Sequence, residues 1–431
     1  MSNQRYRKPS KRTSARQEQP RVGRIVATGP NEIQLALPIP SMLSAVHGAI
    51  ESLAGEAGLL IMKALIDEEV EDVVGKRHEQ RRDRRAVRWG QETGHVVFAG
   101  KKVPISRPRV REVAGREVPL ERYRMFQSDA RMERSVTERI LRGVSTRNYE
   151  GAIDDFAEGY GIQKSSVSRH WKAATAKDLA GIMERRLEDL DLAVVMIDGI
   201  GFHDFLLVVA LGIARDGKKH VLGIWDGATE NTKVVSALLT DLVERGLRTD
   251  RRYLFVVDGS KALSKGIATV FGSDALIQRC QVHKERNVLA HLPDAHQPAI
   301  RQALRAAWGM QTHEEAQDAL KKLLRKLESL SPGAASSLQE GLEETITLHR
   351  LNVPAGIRKI VRSTNVIESV FARTRELCHN VRRWRSAEMA LRWASASLLH
   401  AEKRFRRIIG HRFMAGLVQT LDEFDKRRGV A

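Results

Sequence analysis

Two apolar runs in this chain end the same way. Val194, Val195, Met196 and Ile197 lead into Asp198-Gly199, and Leu254, Phe255, Val256 and Val257 lead into Asp258-Gly259. Short β-branched runs of this kind read as buried strands. A carboxylate at the end of a buried strand is costly unless something compensates it. Two such carboxylates side by side repel unless a cation sits between them. Carboxylates with room for water and phosphate oxygens are typical Mg2+ ligands. A third acid is wanted to complete two cation sites, and Glu368 is the candidate, in the first turns of a helix flanked by Arg362, Arg373 and Arg375. Two cations so held can clamp the attacking and leaving oxygens of an in-line phosphoryl displacement. The plainer alternative makes both Asp-Gly pairs simple turns. Two matched strands and a distant helical glutamate weigh against it.

The elements around these acids must bring them together. From residue 193 the pattern reads strand ("AVVMIDG"), strand ("HDFLLVVALGIA"), tight turn ("RDGK"), strand ("HVLGIW"), helix ("TENTKVVSALLTDLVERG"), strand ("RRYLFVVDG"), helix ("SKALSKGIATVFG") and strand ("ALIQRC"). Three strands joined by turns make a meander, and the later crossovers make parallel pairs. In this order the first and fourth strands are parallel neighbours, so Asp198 and Asp258 fall at adjacent tips. The mixed α/β order fits a ribonuclease-H-like core. Residues 290–356 read as an all-helical insertion, with Thr312 and Glu315 forming a capping box and Pro332-Gly333 breaking a helix. A helix carrying Glu368 then starts near Thr364 or Asn365, and the last helices run from Ser386 to about Lys426.

The N-terminal part differs. Residues 1–24 hold eight basic side chains against Glu18 alone and read as a disordered tail. Residues 41–74 have helical spacing. The stretch around Gly100-Lys101-Lys102 alternates as a basic β-hairpin, and with no cysteine pair nearby a zinc ribbon is excluded. Between 145 and 180, a helix, a glycine turn and a second helix starting at "KSSVSRHW" match a helix-turn-helix. In that pattern Lys164, Ser165, Ser166, Ser168 and Arg169 face a DNA groove or its phosphates.

Charge points the same way. Lysine and arginine number 72 against 53 acids, a formal net charge of +19. Such a surplus suits a polyanionic partner, most often nucleic acid. Cys280 and Cys378 are the two cysteines, too few for a disulfide framework, so a reducing interior is expected. No apolar run reaches the roughly 18–20 residues that span a bilayer. The first residues lack the apolar core of a signal peptide. A cytoplasmic, nucleoid-associated protein is the expectation.

Several ordered segments resemble transposases of the bacterial IS256 family, relatives of the eukaryotic Mutator elements. They are "RGVSTRNYEGAIDDFAEGYG", "VVMIDGIGF", "VLGIWDGATENTKVVSALLTDLVERGL", "VVDGSKALSKGIATVFGSDALIQRCQVHKERNVLAHLP" and "IRKIVRSTNVIESVFARTRE". The match covers most of the chain from about residue 85. The resemblance implies that Asp198, Asp258 and Glu368 are a DDE triad using two Mg2+ ions, for which Mn2+ can substitute. It implies binding of double-stranded DNA at terminal inverted repeats, strand cleavage, and joining of the freed 3′-hydroxyl to target DNA. It also implies a homodimer or higher oligomer, since two element ends must be held together. Cys280 and His283 match the family's C-x-x-H signature and are expected to support the active site. Lys284, Arg286, Arg362, Arg373 and Arg375 are expected at DNA phosphates, and Trp308 against an unpaired base.

The expected division is a basic tail at 1–25, a helical region with the hairpin at 26–130 and the helix-turn-helix at 131–185. The first part of the core follows at 186–290, the insertion at 291–360, and the final core helices with the third acid at 361–431. Two other readings compete: a catalytically inactive transposase-derived DNA-binding repressor, and a ribonuclease-H-like nuclease that cuts without joining.

Overall fold

A computed structural model describes residues 24–29, 32–36, 48–77, 79, 85–98, 101–144, 164–227 and 231–427. Most of the basic tail and the first helix of the expected helix-turn-helix lie outside these residues. The chain divides into two compact units, residues 1–135 with 148–163, and residues 136–147 with 164–431.

In the first unit β1 (Arg24–Gly29) and β2 (Glu32–Ala36) pair antiparallel. The long helix α1 (Gly48–Val74) follows, then β3 (Ala86–Phe98), β4 (Lys101–Glu112) and β5 (Glu117–Val118) in one antiparallel sheet, and α2 (Glu121–Phe126). Ile66 and Val70 of α1 meet Val96, Val103 and Val110 of the sheet and Tyr123 and Phe126 of α2 in one core. The hairpin's arginines are partly balanced: Arg107 and Arg109 pair with Glu92 and Glu117.

Helix α3 (Asp129–Leu141) spans the division between the units. The second unit then has α4 (Lys164–Met183), β6 (Leu192–Phe202), β7 (Phe205–Ala214), β8 (Lys219–Asp226), α5 (Thr232–Glu244), β9 (Leu254–Val257), α6 (Lys261–Phe271) and β10 (Leu276–Arg279). The sheet order is β10-β9-β6-β7-β8. The meander β6-β7-β8 is antiparallel, and β6, β9 and β10 run parallel. Asn231 caps α5 by accepting from Val234 N at 2.9 Å. Val235, Leu238, Leu242, Leu263 and Ile267 of α5 and α6 bury one face of the sheet against Val195, Ile197, Phe255 and Val257. Because side chains alternate along a strand, Asp198 projects to the other face.

The remaining helices are α7 (Gln281–Leu289), α8 (Gln297–Trp308), α9 (His313–Leu330), α10 (Pro332–Gln339), α11 (Thr347–Arg350), α12 (Ala355–Val361), α13 (Asn365–Leu377), α14 (Ala387–Glu402) and α15 (Met414–Arg427). Helices α7 to α10 and the turn after them close a core of their own around Leu304, Leu320, Leu327, Leu338 and Ile346. The Thr312–Glu315 capping box is formed in both directions. Ser331 ends α9 and caps α10, with Pro332 in the first turn, where its missing N–H costs nothing. Helices α13 and α14 pack with α4 on the sheet's second face, and Trp171 of α4 packs at a tilt of 57° against Trp393 of α14 with ring centroids 4.4 Å apart.

His349 on α11 is 1% exposed. Burial, and then the positive charge of Arg358, push its pKa down to about 4. The unfolded chain therefore binds a proton between about pH 6.5 and 4 that the folded chain refuses, so stability falls as pH drops through that window. The full loss is about 3 kcal/mol at roughly 1.4 kcal/mol per pH unit. Thermal unfolding of the native protein and of His349→Leu across pH 4–7.5 checks this. The variant loses that part of the acid destabilisation; identical acid profiles would refute it.

Candidate active site

Asp198 lies inside a strand, which corrects the expectation of a strand tip. Strand β6 runs on to Phe202, with Asp198 opposite Val209 and Gly199 opposite Val208 of β7. The pairing with β9 stops earlier, at Ile197 opposite Val257. One edge of β6 thus continues while its parallel neighbour turns away. Asp198 and Asp258 each follow the last pair of that ladder, which makes them neighbours. The simple-turn alternative fails for Asp198-Gly199.

The surroundings make Asp198 a strained anion. It is 8% exposed, and its Oδ1 accepts from Gly199 N at 2.8 Å. Burial, and then the charge of Asp258 beside it, raise its pKa to about 7, with Glu368 adding to the effect. Asp258 Oδ1 accepts from Ser260 N at 2.8 Å, which fixes the carboxylate against the turn into α6. Gly259 has φ +108°, and a Cβ there would come within 2.1 Å of Arg279 Nε, so this turn needs glycine. Arg279 is anchored through Glu340, whose backbone carbonyl accepts from it at 3.0 Å.

Glu368 sits in the first turn of α13. Thr364, fully buried at the helix start, donates its hydroxyl to Glu368 Oε1 at 3.0 Å. His283 Nε2 lies 3.8 Å from the same oxygen. Thr364 also touches Cys280: its N–H and hydroxyl approach Sγ at 3.4 and 3.5 Å. Cys280 in turn caps α7, accepting from His283 N at 3.5 Å. Hydrogen bonding to Cys280 outweighs burial and raises the His283 pKa to about 8, with Asp198 and Glu368 helping. Burial opposes ionisation of Cys280, but bonds from His283 and Thr364 outweigh it and lower the thiol's pKa. The structure therefore brings Asp198, Asp258, Glu368, Cys280 and His283 into one electrostatic group.

Among the described residues, no three carboxylates, imidazoles or thiols already close on one point as a finished metal cage. The chemistry of the donor set nonetheless fits hard divalent cations. It offers carboxylate oxygens, one of them desolvated and facing a second acid. A cation there would offset both the burial and the Asp258 charge that raise the Asp198 pKa.

The expected DNA contacts divide. Ser165 and Arg169 are exposed in the first turns of α4, and Ser166 and Ser168 are half-buried. The backbone of Lys164 opens that helix, and its side chain lies outside the described residues. Trp171 and Thr175 of the same helix are buried, and Arg392 of α14 donates to Thr175 Oγ1 at 3.2 Å, so that face of α4 is packed and closed to a groove. Arg286 and Arg375 are exposed, and Arg362 and Arg373 are partly exposed. Arg373 also pairs with Glu376.

Two expectations are corrected. Lys284 is fully buried, and its Nζ donates to the carbonyls of Ser337 and Glu340, both at 2.5 Å. Burial lowers its pKa to about 8. It ties α7 to the end of α10 and reaches no phosphate. Trp308 is 4% exposed in the insertion core, with its indole N–H donating to Thr345 Oγ1 at 3.2 Å, so it stacks on no base. Sequence reasoning missed Thr364 as the partner of Glu368. A Thr four residues before an acid at a helix start was the available signal.

The family model described as "Transposase, Mutator family" matches residues 43–407. The chain is 27% identical over 349 residues to the transposase for insertion sequence element ISRM5 of Rhizobium meliloti, covering 78% of this chain and 84% of that protein. It is 28% identical over 242 residues to the transposase for IS6120 of Mycolicibacterium smegmatis, covering 54% and 73%. It is 23% identical over 320 residues to the transposase for IS256 in transposon Tn4001 of Staphylococcus aureus, covering 70% and 77%. With a family match extending over most of its length, this chain belongs to the Mutator family of transposases.

Proposed function

We propose that this transposase cuts DNA at the terminal inverted repeats of an insertion sequence and joins the freed 3′-hydroxyls to target DNA, with Asp198, Asp258 and Glu368 as its catalytic acids. The observation that carries the reading is the in-register Ile197–Val257 pair, which sets two carboxylates side by side on the sheet face covered by the Glu368 helix. The strand order β10-β9-β6-β7-β8 supports a ribonuclease-H-like core interrupted by the helical insertion. The exposed first turns of α4 support a groove-reading role for Ser165 and Arg169, with Ser166, Ser168 and the Lys164 position beside them. We assign the protein to the bacterial cytoplasm, acting as a homodimer or larger assembly on DNA. No described helix is long and apolar enough to cross a membrane.

Asp198, Asp258 and Glu368 would hold two Mg2+ ions, with Mn2+ able to substitute; when bound, such cations activate the attacking oxygen and stabilise the leaving oxygen. The chain's own residues do the rest. Asp258 Oδ1 is held by Ser260 N, and Asp198 Oδ1 by Gly199 N, which orients one oxygen of each carboxylate before substrate binds. Thr364 and His283 hold one Glu368 oxygen and leave the other free. Cys280 acts through Thr364 and His283, as a positioning residue. Arg286, Arg362 and Arg375 would bind backbone phosphates around the cut, and Arg373 a phosphate farther along the strand.

Purified protein, a labelled element-end duplex and Mg2+ or Mn2+ test the reading. Wild-type protein yields metal-dependent nicks and joined products, and Asp258→Asn reduces both to background while still binding the duplex. Specific binding without cleavage in either protein, across metals and end sequences, would favour the repressor; nicks without joined products would favour the nuclease.

Positioning of Glu368 has its own test. Thr364→Val removes the hydroxyl and should lower cleavage about 10–100-fold, the usual cost of a lost partner to a ligand. It should also raise the Mn2+ concentration needed for half-maximal rate, with duplex affinity unchanged. Thr364→Ser keeps the hydroxyl and should restore most of the rate. An undiminished rate in Thr364→Val, or a loss in Thr364→Ser as large as in Thr364→Val, would show that the hydroxyl's hydrogen bond does not account for the role of Thr364.

A further inference from the structure

A second feature of the catalytic unit lies away from the acids. A cavity of about 320 Å3 opens between the start of β8, the flank of α13 and the end of α14. Its lining includes Lys219, Arg373, His400, Arg404 and Phe405, and no acid. The Lys219 ammonium stands 4.9 Å from the centroid of the Phe405 ring. Lys219 is half-buried, and its pKa is lowered by burial. Burial also lowers the His400 pKa, and the nearby charges of Arg404, Lys403, Arg373 and Arg142 lower it further. Arg373 is balanced by Glu376. Arg404 is exposed and has no carboxylate within ion-pair reach among the described residues.

A concave group of cations in which only Arg373 has a paired carboxylate is unfavourable in the free protein and becomes favourable when an anion enters. We propose that this cavity seats a backbone phosphate of a DNA strand, at a point remote from the bond being cut. The remoteness follows from helix geometry. At about 100° per residue, Ser369, Val370 and Arg373 face roughly 150° round α13 from Glu368. The strand in the cavity therefore passes behind the helix that presents the third acid, and binding there fixes DNA relative to α13 without touching the reacting phosphate. Chains of fixed cations suit phosphodiesters, which need no base-specific partner. The inference rests on the reading of the protein as a DNA-acting enzyme.

The test measures binding of the full-length protein to the labelled element-end duplex across a salt series. Arg404→Gln touches no core contact, and Lys219→Gln/Arg404→Gln removes two cavity charges. Lys321→Gln/Lys322→Gln, on the exposed face of α9, removes the same charge elsewhere. The cavity double variant should weaken binding about tenfold or more and reduce the slope of log affinity against log salt by about 1–2. The α9 pair should cost less than about twofold. Arg404→Gln alone should give about half the change in slope, and its thermal unfolding should match the wild type. Equal losses for the cavity and α9 pairs, or none for either, would overturn the inference while leaving the DNA-acting reading intact. Wild-type protein that fails to bind the duplex would overturn both. Binding of tripolyphosphate that the cavity variants lose, with duplex binding untouched, would assign the cavity to a small free anion instead.

Discussion

One backbone register governs this molecule: Ile197 opposite Val257, the last rung of the parallel ladder between β6 and β9. Beyond that rung β9 ends while β6 continues against β7, and the two aspartates emerge side by side on the face away from α5 and α6. A slip of one residue would turn one carboxylate into the apolar layer. The register is therefore pinned by the core itself, through Val195, Ile197, Phe255 and Val257 packed beneath α5 and α6. Burying Asp198, and then holding Asp258 beside it, costs free energy, visible in the raised pKa of Asp198. That cost is what cations bound at the two carboxylates would offset.

Much of this was readable in the sequence because it depends on local pattern. β-Branched apolar runs marked β6 and β9, tight turns marked the meander, and Thr312 with Glu315 marked the start of α9. The unreadable parts depend on distant partners. Gly199 and Gly201 are poor strand formers, so the strand seemed to stop at Asp198, yet pairing with β7 carries it to Phe202. Lys284 stands in a polar local stretch and looked like a surface cation. Its carbonyl partners come from Ser337 and Glu340, more than fifty residues on, and no local signal announces them. Trp308 was ambiguous for the same reason, since Thr345 decides where its N–H goes. Asp198, Asp258 and Glu368 were all named from the sequence, whereas the Thr364 hydroxyl that orients Glu368 emerged only from the fold.

The helical insertion explains how Glu368 can lie so far along the chain and still reach the aspartates. The chain leaves the sheet at Arg279 and returns at Arg362, and Gln281 N donates to the Arg362 carbonyl at 3.0 Å. Cys280 and Thr364 touch across the same closure. Everything between forms a loop with its own apolar core. Closure entropy grows only with the logarithm of loop length, so the size of the insertion matters little as long as its two ends stay clamped. Lys284 and Arg279 strengthen the clamp by gripping the end of α10 from inside.

That closure also gives the Cys280 and His283 pair a role that metal chemistry would not suggest. Two such ligands are too few for a structural zinc site, and here they face Thr364 and Glu368 instead. Sulfur is a weak acceptor, yet Sγ takes contacts from both His283 N and Thr364. It joins the first turn of α7 to the first turn of α13, one on each side of the insertion. Any shift of α7 would be passed through Thr364 to the Glu368 carboxylate. The third acid is thus placed relative to the sheet by a sulfur-centred joint, while the first two are placed by the sheet itself.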